Sequence, residues 1–307
     1  MALTMVEAAK RNSGDVVKAA VIETYARTSD ILRVLPFEDI AGNALKYNLE
    51  GALPGVGFRG VNEGYSESTG VLNPVTEPLV IAGGDLDVDK FIVTTMGADQ
   101  RTSQEVMKIK SLAHRWTLAF IKGDSTALTK EFDGLQRRLT GSQLVWNASG
   151  SGAALSIVKL DELIDAVDNP THLLMSKALR RTLSAAARNT SVAGYITYSR
   201  DEFGRQIMLY NDLPILISDN SGDAYAATAF NEAGQSGGSA CTSIYCLSLG
   251  DGMLTGIQNS DPAVTDLGEL ESKPTYRTRV EWYSGIALYH PRCAGRLGGI
   301  IAGAATA

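Results

Sequence analysis

The sequence predicts an α+β chain in which a long extended hairpin and a long amphipathic helix accompany a body of alternating strands and helices. Three observations carry this. Residues 42–84 hold nine glycines and three prolines in 43 positions, between two runs of extended character at 43–53 and 76–93. Within 98–122, Val106, Ile109, Ala113, Trp116 and Phe120 recur by threes and fours, which places them on one helical stripe. From 141 onward strand-like and helix-like stretches alternate and end in a long strand pattern over 276–290. There Thr278, Val280, Trp282, Ser284, Ile286 and Leu288 share one face, opposite Arg277, Arg279, Glu281 and Tyr283.

Taken in order, Val16, Val17, Ala20, Val21 and Tyr25 predict an amino-terminal helix, with Gly14 before it and Asp15 in its first turn, where the helix dipole favours negative charge. Ser29 is placed to cap a second short helix over 30–35 that Pro36 stops. Such an arm has too little apolar surface for a core of its own. The hairpin follows, with an irregular tip over about 54–74. Arms of ten or more residues reach roughly 33 Å at 3.3 Å per residue. A two-stranded hairpin alone is marginal in water, so the surface that orders it is expected on another copy of the chain. For the helix over 98–122, Thr102 and Glu105 fit a capping box and Gly123 fits a stop. Its 20–25 residues make a rod of about 30–37 Å.

Beyond it, 143–146 reads as a strand, 160–167 as a helix and 172–175 as a strand. Ser176 caps a helix carrying Leu179, Leu183 and Ala187. A meander over 195–199, 206–210 and 214–218 turns around Gly204, and 242–249 and 254–258 flank an Asp251-Gly252 turn. The Gly/Ala-rich tail from Ala294 reads as extended.

With 44% apolar and 20% charged residues among 307, wholesale disorder is excluded. The 28 Lys and Arg against 34 Asp and Glu leave a net charge of −6, which argues against a surface that is all nucleic-acid sleeve but leaves room for a local basic patch. No apolar run approaches the roughly 18 residues of a membrane span, and the first residues lack a cationic stretch followed by an apolar one. Three cysteines predict a reducing compartment and no disulfide framework. A soluble, intracellularly made chain without membrane contact is expected.

Candidate chemistry is thin. Gly234-Gln235-Ser236-Gly237-Gly238 matches the nucleophile-elbow pattern, and Asp261 or Asp266 and then His290 follow in hydrolase order. That mechanism needs strand, sharp turn and helix, whereas a strand-like run follows here, so a flexible loop is the better reading. A serine hydrolase using Ser236 is kept as the remote alternative. Asp85, Asp87 and Asp89 alternate along one strand face and mimic the start of a calcium loop, but Lys90 and Met96 occupy the Gly and Glu positions of that loop. A solvated or edge-protecting acidic face is expected instead. Cys241 and Cys246 lie on opposite faces, Cys293 is alone, and His114, His172 and His290 lack zinc spacing. Lys177, Arg180, Arg181 and Arg188 form a basic helix face: either solvated, or in contact with an acidic neighbour or with DNA phosphates. No catalytic residue, cofactor or metal is predicted.

Three stretches near the start carry a resemblance: Ile22-Glu23-Thr24-Tyr25-Ala26, Ile31-Leu32-Arg33-Val34-Leu35-Pro36-Phe37 and Asn43-Ala44-Leu45-Lys46-Tyr47-Asn48. So do Leu53-Pro54-Gly55-Val56-Gly57-Phe58-Arg59-Gly60-Val61-Asn62-Glu63, the most specific block, and Tyr276-Arg277-Thr278-Arg279-Val280-Glu281-Trp282-Tyr283 with Gly285-Ile286-Ala287. Together they resemble the major capsid proteins of tailed bacteriophages with the Hong-Kong-97-like fold, over nearly the whole chain. The resemblance implies an amino-terminal arm at 1–41, an extended loop at 42–94 and a peripheral domain with its spine helix at 95–141. An axial domain at 142–272 and a return to the peripheral domain with the tail at 273–307 complete it.

It further implies a virion protein, made in the host cytoplasm, that assembles with itself into hexamers and pentamers of an icosahedral shell around double-stranded DNA, without sequence-specific binding. A separate scaffolding protein (or prior processing), a portal and a decoration protein are the partners it suggests. An encapsulin-like compartment on the same fold is the alternative. Some relatives cross-link through a loop Lys with an Asn and a catalytic Glu. Lys46 is the only Lys in the first half of this loop, and no matching Asn and Glu accompany it. Lys46, Tyr47, Phe58, Arg59, Asn62 and Glu63 are the expected intersubunit contacts.

Overall fold

A computed structural model describes residues 3–4, 29–97, 99–188, 196–200, 206–218 and 227–306. The helix expected over 16–25 and the turn around Gly204 lie outside these residues. The first half contains β1 (Leu3–Thr4), α1 (Asp30–Val34), β2 (Pro36–Asp39), β3 (Ala44–Ala52), β4 (Val71–Pro78), β5 (Val80–Asp89), α2 (Lys90–Met96), α3 (Asp99–Lys122) and α4 (Leu135–Arg138). The second contains β6 (Leu144–Trp146), α5 (Ile157–Asp165), β7 (His172–Met175), α6 (Lys177–Ala186), β8 (Ile196–Arg200), β9 (Gln206–Tyr210) and β10 (Leu213–Ile217). It continues through β11 (Glu232–Gly234), β12 (Gly237–Leu247), β13 (Leu254–Gln258), β14 (Ala263–Glu269), β15 (Thr275–Leu288) and β16 (Ala294–Ile300).

Three sheets organise these strands. One runs β1-β2-β13-β15-β14, with β5 along the other side of β15, so that Val280 pairs with Val264 on one flank and Gly84 on the other. A second runs β6-β16-β12-β7-β10-β9-β8, with β11 on β12. It is mixed, since β6–β16 and β7–β10 are parallel. The third is the hairpin β3–β4 alone.

Strand pairing crosses the grouping expected from chain order. β13 and β14, expected with the second body, pair with β15 in the first sheet. β16, expected as part of an extended tail, lies between β6 and β12 in the second. Hydrogen-bond partners distant in sequence decide membership here. The hairpin is also cut differently: its returning arm starts at Val71 and breaks at Leu79, whose N–H bonds Asn43 O (2.8 Å), after which β5 leaves β3 and follows β15 for ten residues.

The stripe of α3 behaves as its period requires. Ile109, Ala113, Trp116 and Phe120 are buried. Trp116 stands 5.7 Å from Phe37, 5.4 Å from Trp282 and 5.9 Å from Phe132 between ring centres. Buried indoles need an acceptor; Trp116 Nε1 donates to Ser284 Oγ (2.9 Å) and Trp282 Nε1 to Gln258 Oε1 (3.1 Å). Leu174, Leu216, Tyr245 and Leu247 from the second sheet join this cluster, while Leu163, Leu173, Leu179, Leu183, Ile244 and Leu297 gather in a second core cluster. Phe37 crosses so close to the backbone that a Cβ on Gly256 would lie 2.4 Å from its ring.

The ends of α3 differ from expectation at one side. Thr102 lies inside the helix, and Glu105 is committed to Arg101 (3.2 Å) and Thr278 (2.8 Å), so no capping box forms. Gly123 does end the helix. A Cβ there would meet Phe132 O at 2.3 Å, because the following turn folds back and Gly134 N–H bonds Gly123 O (2.9 Å).

Candidate assembly surfaces

The hairpin is anchored at its root. Leu45 and Tyr47 alternate on the face of β3 that packs on Ile40, Ile257 and Ala287, while Lys46 between them faces solvent. Tyr47 packs tilted against Tyr289 (4.8 Å between ring centres), accepts from Leu288 N–H (3.3 Å) and donates to Glu77 (3.4 Å). Burial, reinforced by the Glu77 charge, pushes the Tyr47 hydroxyl up to about 12. Glu77 is buried, and Arg138 of α4 grips both its oxygens (Nη2–Oε2 2.7 Å). Tyr289 donates to Glu38 (2.5 Å). Tyr47, expected between copies, is thus engaged by its own chain, because the β3 pleat turns it inward.

The tip is shaped but uncovered. Val56, Phe58 and Val61 are more than nine-tenths exposed, and Leu53 and Tyr65 more than seven-tenths. Arg59 Nη1 donates to Glu63 O (3.1 Å) and its guanidinium lies 5.2 Å over the Tyr65 ring. Gly60 N–H donates to the Glu63 carboxylate (2.8 Å), and Asn62 takes the left-handed turn at φ 68°. Arg59, Asn62 and Glu63 therefore build one local turn that presents the neighbouring apolar side chains.

The aligned aspartates are neither a calcium loop nor a merely solvated face. Arg279 grips Asp85 (2.7 and 3.0 Å) and Arg277 grips Asp87 (2.6 and 2.7 Å) across β5–β15. These hydrogen bonds hold both carboxyls below their ordinary range. Asp89 instead caps α2 through Phe91 N–H (2.7 Å). Among the described residues no group of three potential ligands is placed to hold a metal.

Gln235 and Ser236 form the two-residue turn of the β11–β12 hairpin, with Gly237 at φ 113° and a strand following, so the geometry of a nucleophile elbow is absent there. His290 lies by Asp168 (3.7 Å). One constellation escaped the sequence. Buried Arg296 holds Glu232 (2.9 Å) and Ser243 (2.9 Å), and Lys122 at the end of α3 approaches the same carboxylate (3.7 Å). Four residues spread from 122 to 296 give no local pattern that could have revealed it.

No protein-family model matches the chain, and no curated protein matches it by sequence. Solved structures do. A chain of the holo-SrpI encapsulin complex from Synechococcus elongatus PCC 7942 is similar over 90% of this chain and 89% of its own, with a TM-score of 0.68 and 17% identity. One from Mycobacterium phage Bobi covers 88% and 89%, with a TM-score of 0.63 and 12% identity. The capsid of a native GTA particle covers 89% and 90%, with a TM-score of 0.61 and 16% identity. The architecture is therefore one found in both phage-type capsids and encapsulin compartments. The chain has the α+β Hong-Kong-97-like fold.

Proposed function

We propose that the chain is a shell subunit: a major capsid protein that associates with itself into hexamers and pentamers of an icosahedral shell around double-stranded DNA. The observation that supports this best is the hairpin, rooted by buried contacts and ending in fully exposed Val56, Phe58 and Val61. Burying apolar surface is worth about 25 cal/mol per Å², and the described residues do not cover these three. Lys46, Phe58, Arg59, Asn62 and Glu63 are the side chains the hairpin offers a neighbour. Closed arrays multiply such modest contacts through effective concentration.

An encapsulin-type compartment is the second reading, supported equally by the fold shared with the encapsulin chain. Negative-stain electron microscopy of the purified chain tests both: closed shells are expected, and a persistent monomer at high concentration would defeat them. Nuclease-resistant double-stranded DNA inside particles from the native source supports the capsid; a stoichiometric enzyme inside supports the compartment.

A further inference from the structure

Charge is spread unevenly over this molecule. The chain has 34 Asp and Glu in 307 residues, yet 169–200 contains none, while holding Lys177, Arg180, Arg181, Arg188 and Arg200. Among the described residues, every arginine outside this stretch has a carboxylate partner or, for Arg59, a backbone carbonyl. Arg180, Arg181, Arg188 and Arg200 have none there.

The first three of these belong to one exposed face. Leu179 and Leu183 turn α6 into the second core cluster, which leaves Lys177, Arg180 and Arg181 exposed, and exposed Arg188 follows just past the helix end. Positions 177 and 181 are four apart and share one flank of α6, and Arg188 follows beyond its last turn. No large apolar side chain between 177 and 188 is exposed. Protein interfaces are built around apolar or aromatic anchors, and this face has none. A phosphate backbone, by contrast, needs only cations at its spacing, and the guanidinium fork fits phosphate oxygens bidentately.

We infer that the α6 face binds the phosphate backbone of duplex nucleic acid without reading sequence. The inference rests on the shell reading only for what brings the duplex to this face.

The test uses the full-length chain below its assembly concentration and a fluorescent 30-base-pair duplex, followed by anisotropy from 50 to 200 mM salt. With Lys177 and the three arginines engaged, log Kd against log salt should have a slope near ~3.6. In Arg180→Gln/Arg181→Gln/Arg188→Gln the slope should drop by about 2.7 and affinity at the lowest salt at least tenfold, with unchanged circular dichroism. The charge-conserving Lys triple should keep most of the slope. Two duplexes of unrelated sequence should bind alike. An unchanged slope in the Gln triple overturns the inference, as does loss of binding to polyglutamate without loss of binding to DNA, which would mark an acidic protein partner. Shell formation by the same variants is scored separately by microscopy, so failure of the shell reading and failure of this one are told apart.

Discussion

The two ends of the hairpin differ in everything but sequence continuity. At the root, Tyr47, Glu77, Arg138, Tyr289 and Glu38 close a network against the body, and Glu77 is nearly inaccessible. At the tip, the contacts of Arg59, Glu63 and Ser68 all stay within 55–68, and the apolar side chains meet solvent. A hairpin held at its root and shaped but uncovered at its tip is what supports the proposed contact with another copy. Rigidity at one end lowers the ordering cost of a contact made at the other.

The tip carries the largest expected effect. Val56→Ser/Phe58→Ser/Val61→Ser should cut shell yield more than tenfold while leaving the urea midpoint of the chain unchanged; a shifted midpoint would mean that the tip packs on its own body. At the root the pattern reverses. Glu77→Ala removes the buried partner of the half-buried Arg138 guanidinium and should destabilise the chain by about 3 kcal/mol, read by urea unfolding. Arg59→Glu should lower shell yield several-fold, with chain stability within about 0.5 kcal/mol of the parent. Equal yield at matched salt would remove Arg59 from the contact.

The smallest effect lies on β5, which continues the root into the sheet. The carboxyls of Asp85 and Asp87 are depressed by Arg279 and Arg277, so their contribution is present above the ordinary carboxylate pKa of about 4 and is lost as pH falls through the folded value. Asp85→Asn/Asp87→Asn should therefore match the parent in strong acid and lag slightly at neutral pH, with the gap closing in high salt.

Much of the fold was legible locally. The α3 stripe, the long β15 alternation and the Ser176 cap, which accepts from Leu179 N–H (3.2 Å), each follow from spacing within a few residues. Legibility ended where a distant partner decided. Nothing within 42–94 reveals that β5 leaves the hairpin to pair with β15, or that the inward face of β3 carries Tyr47. Of the expected contact residues, Phe58, Arg59, Asn62 and Glu63 were visible as a glycine-rich tip, but their exposure is a property of the folded chain.

Local sequence alone determined the periodicities, the glycine-rich projection and the acid-free stretch at 169–200, because backbone sterics and side-chain spacing act over a turn or a strand. Tertiary structure decided which charges find partners. Arg279 reaches Asp85 across 194 residues, and Arg296 reaches Glu232 across 64, whereas the arginines of α6 reach no carboxylate among the described residues. Such pairings depend on loop closure and shared burial, and neither is encoded at any single position.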